Sequence, residues 1–285
     1  MFKNVLVPIS SEFYSEKILK RSAFLAEKLQ SKITFIYIIE DKKLDQTEKI
    51  YETYLSEHDL VETKKQIIKE QVKTADNIVF QQAKQYFNDK NIILNEKIKK
   101  GEFSEIIKEE INKSQYDLIL TGYEKECLLN YRLLEEVDVP IWIESVSESR
   151  NILAICSNLA PNQKVPEISV RFAKLIGWDL HMIYVIDRED NVQVDVNGER
   201  GPRKSKDDLI AIAEEFQSDM KQKNIHVEII KGNLEKETVK KAEEINANLV
   251  IVGREKKQKG ILGLPVKNLK RKLADKCKYS LLFIK

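Results

Sequence analysis

Apolar runs of strand length alternate along this chain with segments whose apolar residues recur every three to four positions. Asn4–Ile9 is a continuous apolar run rich in β-branched residues, the pattern of a strand covered on both faces. In Ser15–Leu29, the residues Ile18, Leu19, Ser22, Leu25, Ala26 and Leu29 share one side at helical spacing. Further strands are predicted at Ile33–Ile39, Ile92–Ile98, Asp117–Thr121 and Ile141–Glu144, with a helix over Phe103–Asn112. Residues 55–90 hold neither Gly nor Pro and carry a charged helical pattern, which predicts one long helix or two. The alternation then starts again. It predicts strands at 151–156, 180–186, 225–230, 248–252 and 280–284, and helices near 166–176, 206–222, 235–246 and 266–276.

The second series is a copy of the first. Asn4-Val5-Leu6-Val7-Pro8-Ile9-Ser10 recurs 147 residues later as Asn151-Ile152-Leu153-Ala154-Ile155-Cys156-Ser157, and at the same offset Ala26 matches Ala173 and Tyr37 matches Tyr184. A third block runs from Gly101 to Gly122 and again from Gly232 to Gly253. Matched blocks in one order divide the chain into two units, 1–146 and 150–285. Strands alternating with helices imply parallel sheets made of right-handed crossovers. The expected fold is therefore α/β: two tandem five-stranded, doubly wound domains. Ligands of such sheets bind beyond the carboxyl ends of strands where the strand order reverses. That directs attention to the loops Ser10–Phe13, Ser157–Asn162, Gly122–Leu128 and Gly253–Val266.

Composition narrows the function. The 285 residues contain 48 Lys+Arg against 46 Asp+Glu, a net charge of +2, which argues against a dedicated nucleic-acid binder. No run approaches the ~18 uninterrupted apolar residues of a membrane-spanning helix, and the amino terminus lacks a secretory pattern. Cys127, Cys156 and Cys277 are irregularly spaced and suggest neither a disulfide framework nor a zinc site, so a reduced cytoplasmic setting is expected. No G-x-S-x-G elbow, Walker loop or G-x-G-x-x-G sequence is present.

The NVLVPIS opening, the LAEKL…ITFIYIIED unit, the segments leading to LILTG and LVIVG, and the ending LADKCKYSLLFIK together resemble the universal stress protein family in its tandem two-domain form. That resemblance covers nearly the whole chain. It implies an adenine-nucleotide-hydrolase-like fold and, for ATP-binding members, an Asp closing the first strand and a G-x2-G-x9-G loop after the fourth. Glycines there let backbone N–H groups approach phosphates, and a helix N-terminus adds partial positive charge. Here Ser10 and Ser157 stand at the Asp position, and no glycine follows Gly122 in a loop shortened by about ten residues. In the second copy Gly253 fits the first motif glycine, Lys256 replaces the second, Gly260 fits a later one, and Lys267-Asn268 replaces the terminal Gly-Ser. The resemblance thus leaves two readings. In one, both nucleotide sites are degenerate and the chain is a stress-response regulatory or binding module without clear catalysis. In the other, the second domain alone holds ATP through Ser157, Val185, Gly253, Gly260, Lys267 and Asn268, with weak hydrolysis.

The remaining candidates carry less. His58, His181 and His226 have no Asp, Glu or Cys at metal-ligand spacing and are expected to be packing or surface residues, so no metal is expected. Asp187 is the nearest candidate carboxylate for catalysis and has no visible partner, and no catalytic residue is assigned. Cys127, beside Lys125, is the more reactive-looking thiol. The first copy's extra length falls in residues 45–71, expected to form an amphipathic helix on its own sheet. By resemblance, the last strands 141–144 and 281–284 pair within the chain as a pseudo-dimer, with Trp142 packed at that junction. A protein or small-ligand partner and a homodimer are further expectations.

Overall fold

The computed structural model describes residues 1–10, 15–40, 56–90, 92–122, 134, 136–145, 148–255, 273 and 278–285. Its contacts divide the chain into two compact units, Met1–Glu124 and Lys125–Lys285.

The first unit runs β1 (Asn4–Ile9), α1 (Glu16–Leu29), β2 (Lys32–Glu40), α2 (Glu57–Thr74), a π-helical turn (Ala75–Phe80), α3 (Gln81–Asn88), β3 (Leu94–Gly101), α4 (Phe103–Lys113) and β4 (Leu118–Gly122). Its strands are parallel in the order β4-β1-β2-β3, with Val5 opposite both Ile33 and Leu118. The continuous apolar run of β1 is explained by its central place: Val5, Leu6, Val7 and Ile9 are fully buried. Asp117 fixes the start of that strand by accepting from the backbone N–H groups of Lys3 (2.7 Å) and Asn4 (2.9 Å). The long helical stretch divides at the π turn. Ala83 and Phe87 of α3 are buried, and Phe87 meets Phe35 of the sheet edge-on at 6.0 Å. The described side chains of α2 include none that is buried, so only the later part of the stretch lies on the sheet.

The second unit runs β5 (Ile141–Glu144), β6 (Asn151–Ser157), α5 (Lys164–Ile176), β7 (Asp179–Asp187), β8 (Val192–Val194), β9 (Arg200–Arg203), α6 (Lys206–Gln222), β10 (Glu228–Gly232), α7 (Leu234–Glu244), β11 (Leu249–Gly253) and β12 (Ser280–Ile284). Its main sheet has the order β10-β7-β6-β11-β12-β5. Every pairing is parallel except β12 with β5, where Leu282 faces Trp142 antiparallel. The strand that ends the first sequence copy thus belongs to the second unit's sheet. Trp142 is fully buried, stands edge-on to Phe172 of α5 at 5.6 Å, and donates from Nε1 to the Glu144 carboxylate at 2.8 Å.

The two units repeat small devices as well as strands. Lys32 N–H donates to the Lys3 carbonyl, and Asp179 N–H to that of Arg150. Helices α1 and α5 both end on a left-handed residue, Gln30 (φ 55°) and Gly177 (φ 71°), which only glycine adopts without a steric penalty.

Three details differ from the pattern reading. Strand β3 starts at Leu94 rather than Ile92, leaving Ile93 exposed, and extends to Gly101. Strand β10 starts at Glu228 rather than Ile225, because Ile225 N–H closes the end of α6 on the Met220 carbonyl. The β8–β9 hairpin is an element the periodicity did not reveal: three to four residues are too few to show alternation.

Candidate functional site

In the second unit the strand order reverses between β6 and β11, so the crevice expected to take a ligand lies where Ser157 and Gly253 end those strands. Ser157 and Val185 are direct register partners across β6 and β7. Val185 lies two residues before the end of β7 and is flanked on its other side by Ile230. Gly253 completes β11 opposite Ile284 of β12. The structure therefore brings Ser157, Val185 and Gly253 to one end of one sheet. Gly260, Lys267 and Asn268 lie outside the described residues, as do Lys256, Cys127, Cys277 and the predicted helix 266–276.

The chain itself occupies this crevice. After β6 it turns through Asn158, Leu159, Ala160, Pro161 and Asn162, a loop closed by reciprocal bonds. Ser157 N–H donates to Asn162 Oδ1 and Asn162 Nδ2 donates to the Ser157 carbonyl, each at 2.9 Å. Ser157 Oγ accepts from Leu159 N–H at 3.1 Å. The loop seats Pro161 directly on Gly253. A Cβ at Gly253 would fall inside the van der Waals envelope of the Pro161 carbonyl oxygen and lie 3.0 Å from the carbonyl carbon. Glycine is required at 253, but the group that approaches it closely is a carbonyl of the protein.

Asn158, fully buried, holds the next segment. Its Oδ1 accepts from Asp187 N–H at 2.7 Å, and its Nδ2 donates to the carbonyls of Asp190 (3.1 Å) and Val192 (2.8 Å). The Asp187 carboxylate is equally committed. Oδ1 accepts from Glu189 and Asp190 N–H, both at 2.9 Å, and Oδ2 from Leu234 N–H at 2.7 Å, the first residue of α7. Asn233 caps the same helix through Lys236 N–H. A carboxylate accepting three backbone amides, one at a helix N-terminus, is a structural anchor rather than a base awaiting a proton. Sequence reasoning could not find these partners, because backbone amides carry no side-chain signature.

Next to Gly253 the buried Arg254 donates to the carbonyls of Leu134 and Val139, each at 3.4 Å, while its N–H donates to the Ile284 carbonyl at 2.7 Å. Burial pulls its guanidinium down to about 10, against an opposing pull from Asp138. Cys156, buried in β6, has its thiol pushed well up by burial, the opposite of a reactive nucleophile. Among the described residues no three His, Cys, Asp or Glu stand together as a metal site. No helix among them is long and apolar enough to cross a membrane.

The first unit shows the equivalent crevice only in part. Ser10 is buried at the end of β1, while residues 11–14 and 123–133 lie outside the described residues. A Cβ on Gly122 would meet the Ile18 side-chain terminus at 2.9 Å.

The profile of the universal stress protein family matches the chain twice, over residues 1–139 and 148–285. The chain belongs to the universal stress protein family. Comparison with curated proteins finds no match. Among solved structures it is similar to a universal stress protein from Archaeoglobus fulgidus DSM 4304, at 17% identity and a TM-score of 0.68 over 99% of this chain and 96% of that one. It is also similar to a functionally unknown protein from Pseudomonas aeruginosa PAO1, at 13% identity and a TM-score of 0.61 over 100% and 92% of the two chains. At these identities the likeness is one of fold. In the second unit the loop 157–162 lays its own amide and carbonyl groups in the strand-end crevice.

Proposed function

We propose that this universal stress protein acts as a binding and regulatory module of the stress response in the cytoplasm, without nucleotide turnover, and that its second nucleotide site is degenerate. The observation that carries the reading is the Pro161 carbonyl packed on Gly253. A phosphate brought to that glycine would have to displace the carbonyl and the Ser157–Asn162 pair. The commitment of the Asp187 carboxylate to three backbone amides supports the absence of a general base there. Ionised partners for catalysis have to be within hydrogen-bond reach of the reacting group, and the described crevice offers backbone groups already paired.

The test is thermal unfolding of the full chain with and without ATP and Mg²⁺, paired with a phosphate-release assay. A nucleotide binding only the folded state at 100-fold over its Kd adds about 2.7 kcal/mol. The expected result is no shift and no phosphate. A saturable shift would overturn the reading in favour of ATP held by the second domain, and steady phosphate release would restore an enzyme. Gly253→Val is unsuitable as a control, because any side chain at 253 disturbs the Pro161 loop before nucleotide is added.

A further inference from the structure

A second cleft in the second unit lies at the opposite, amino-terminal ends of β7 and β10 and shares no residue with the crevice above. It is a cavity of about 290 Å³ lined by His181, His226, Glu228, Lys241, Asn224 and Val170, among others. Strand β10 is the outer strand of the described sheet, pairing only with β7, and the first paired position is Glu228 opposite Ile183. Two residues earlier in the sequence than each of these stand His226 and His181. Alternation along β7 fixes the face. Tyr184 meets Phe216 of α6 on one side of the sheet at 5.2 Å, so His181 points to the other side. Glu228 is on that other side too, since it pairs with Lys241 of α7 at 2.8 Å, and His226, two residues before the strand begins, lines the same cleft as His181 and Glu228. Both imidazoles are exposed. Neighbouring strands run ~4.8 Å apart, and the β7–β10 register continued two residues back sets His226 beside His181 at this cleft.

We propose that His181 and His226 form a two-imidazole chelate for a borderline divalent transition metal, the class that includes Ni²⁺ and Zn²⁺. Imidazole nitrogen suits these ions, while Mg²⁺ and Ca²⁺ prefer oxygen ligands. No third His, Cys, Asp or Glu joins them among the described residues, and Glu228 is engaged by Lys241. Water therefore completes the coordination sphere, which makes the site exchangeable rather than structural. The inference does not depend on the proposed function.

The chain has three histidines, and the third, His58, is an exposed residue of α2 in the first unit, so it serves as an internal control. The experiment is NMR of the histidine ring protons in full-length protein without an affinity tag, titrated with substoichiometric Ni²⁺, with calorimetry in parallel. Two of the three ring signals should broaden together while the His58 signal stays sharp. Either His181→Gln or His226→Gln should weaken Ni²⁺ binding about tenfold or more, since one remaining imidazole loses the gain of a tethered second ligand. His58→Gln should leave affinity unchanged. Both variants are at exposed positions, and unchanged circular dichroism will verify their fold. Independent broadening of single histidines, equal broadening of all three, or full affinity in either strand variant would overturn the proposal.

Discussion

Replacing Gly253 by alanine adds one methyl group, and its effect separates a protein-filled crevice from an open one. If the space beside Gly253 were vacant for phosphate, the substitution would change stability little. In the structure the methyl would overlap the Pro161 carbonyl oxygen, with the Pro161 carbonyl carbon at 3.0 Å and its ring Cγ at 3.1 Å. Backbone cannot rotate away as a side chain does, so the loop has to shift by on the order of 1 Å, with an overpacking penalty of about 1–3 kcal/mol. The shift also strains the two Ser157–Asn162 bonds, at about 0.5–1.5 kcal/mol for each one lost. The expected loss is therefore roughly 2–6 kcal/mol, a fall of about 4–24 °C in Tm for a unit of this size.

Gly122→Ala, at the equivalent strand end of the first unit, is the matched comparison. There the added methyl crowds chiefly the Ile18 side chain, 2.9 Å from its terminal carbon, with Ser15 Oγ at 3.9 Å; a side chain can give where backbone cannot, and the expected loss is below about 1.5 kcal/mol. The assay has a built-in selectivity, because both tryptophans, Trp142 and Trp178, lie in the second unit. Tryptophan fluorescence during urea unfolding reports that unit, while far-UV circular dichroism reports the whole chain. An unchanged midpoint for Gly253→Ala, or equal losses for the two variants, would refute the packed-loop account.

Gln30→Gly should stabilise the first unit by about 0.5–1 kcal/mol in thermal melts, because Gln30 is left-handed at φ 55° where its counterpart is Gly177. Trp142→Ala should destabilise the second unit by about 3–5 kcal/mol in urea titration. Trp142→Phe should lose less, about 1–3 kcal/mol, from the unmade bond to buried Glu144. Acid melts should show a limb that depends on Glu110. Burial pushes its carboxyl up, but hydrogen bonds from Lys97 and Tyr116 outweigh this and leave it below 4.5. A depressed carboxylate contributes fully above the unfolded value and loses that contribution as pH falls through the folded one. Glu110→Gln should therefore flatten the decline below about pH 4.5. Because its hydrogen bond to Glu110 raises Lys97 above 10.5, that partner's contribution fades only as pH rises past that value.

Much of the architecture was legible because it rests on periodicity. β1, α1, β2, β6 and β11 bury the residues that the apolar pattern marks, and the repeat predicts their duplication. Other features depend on contacts that pattern does not encode. The pairing of Ile141–Glu144 with β12 is expected from the family resemblance, not from periodicity. His181 and His226 are 45 residues apart and line one cleft only because β10 pairs with β7. Gly253 shows the limit most clearly. Glycine at a strand end announces a close approach of some group to the backbone, but sequence does not say whether that group is a phosphate or a carbonyl.

The consequence for ligand binding follows from what the loop would leave behind if it moved. Withdrawing residues 157–162 strips Asp187 N–H of its Asn158 acceptor and leaves the Asp190 and Val192 carbonyls without the Asn158 amide. It also opens the Ser157–Asn162 pair. Each buried polar group left unmatched costs about 1–3 kcal/mol. The three groups bonded to Asn158 place the open crevice about 3–9 kcal/mol above the closed one, a population of roughly one in 10² to 10⁶. Apparent affinity for any ligand that needs the open form falls by that fraction. A nucleotide would therefore have to bind the open crevice with nanomolar strength or tighter to be held at micromolar concentration. Under the proposed function, Asp187 fixed on α7 and the Pro161 carbonyl, with its negative end at Gly253, would leave an anion few groups to reach in the described crevice.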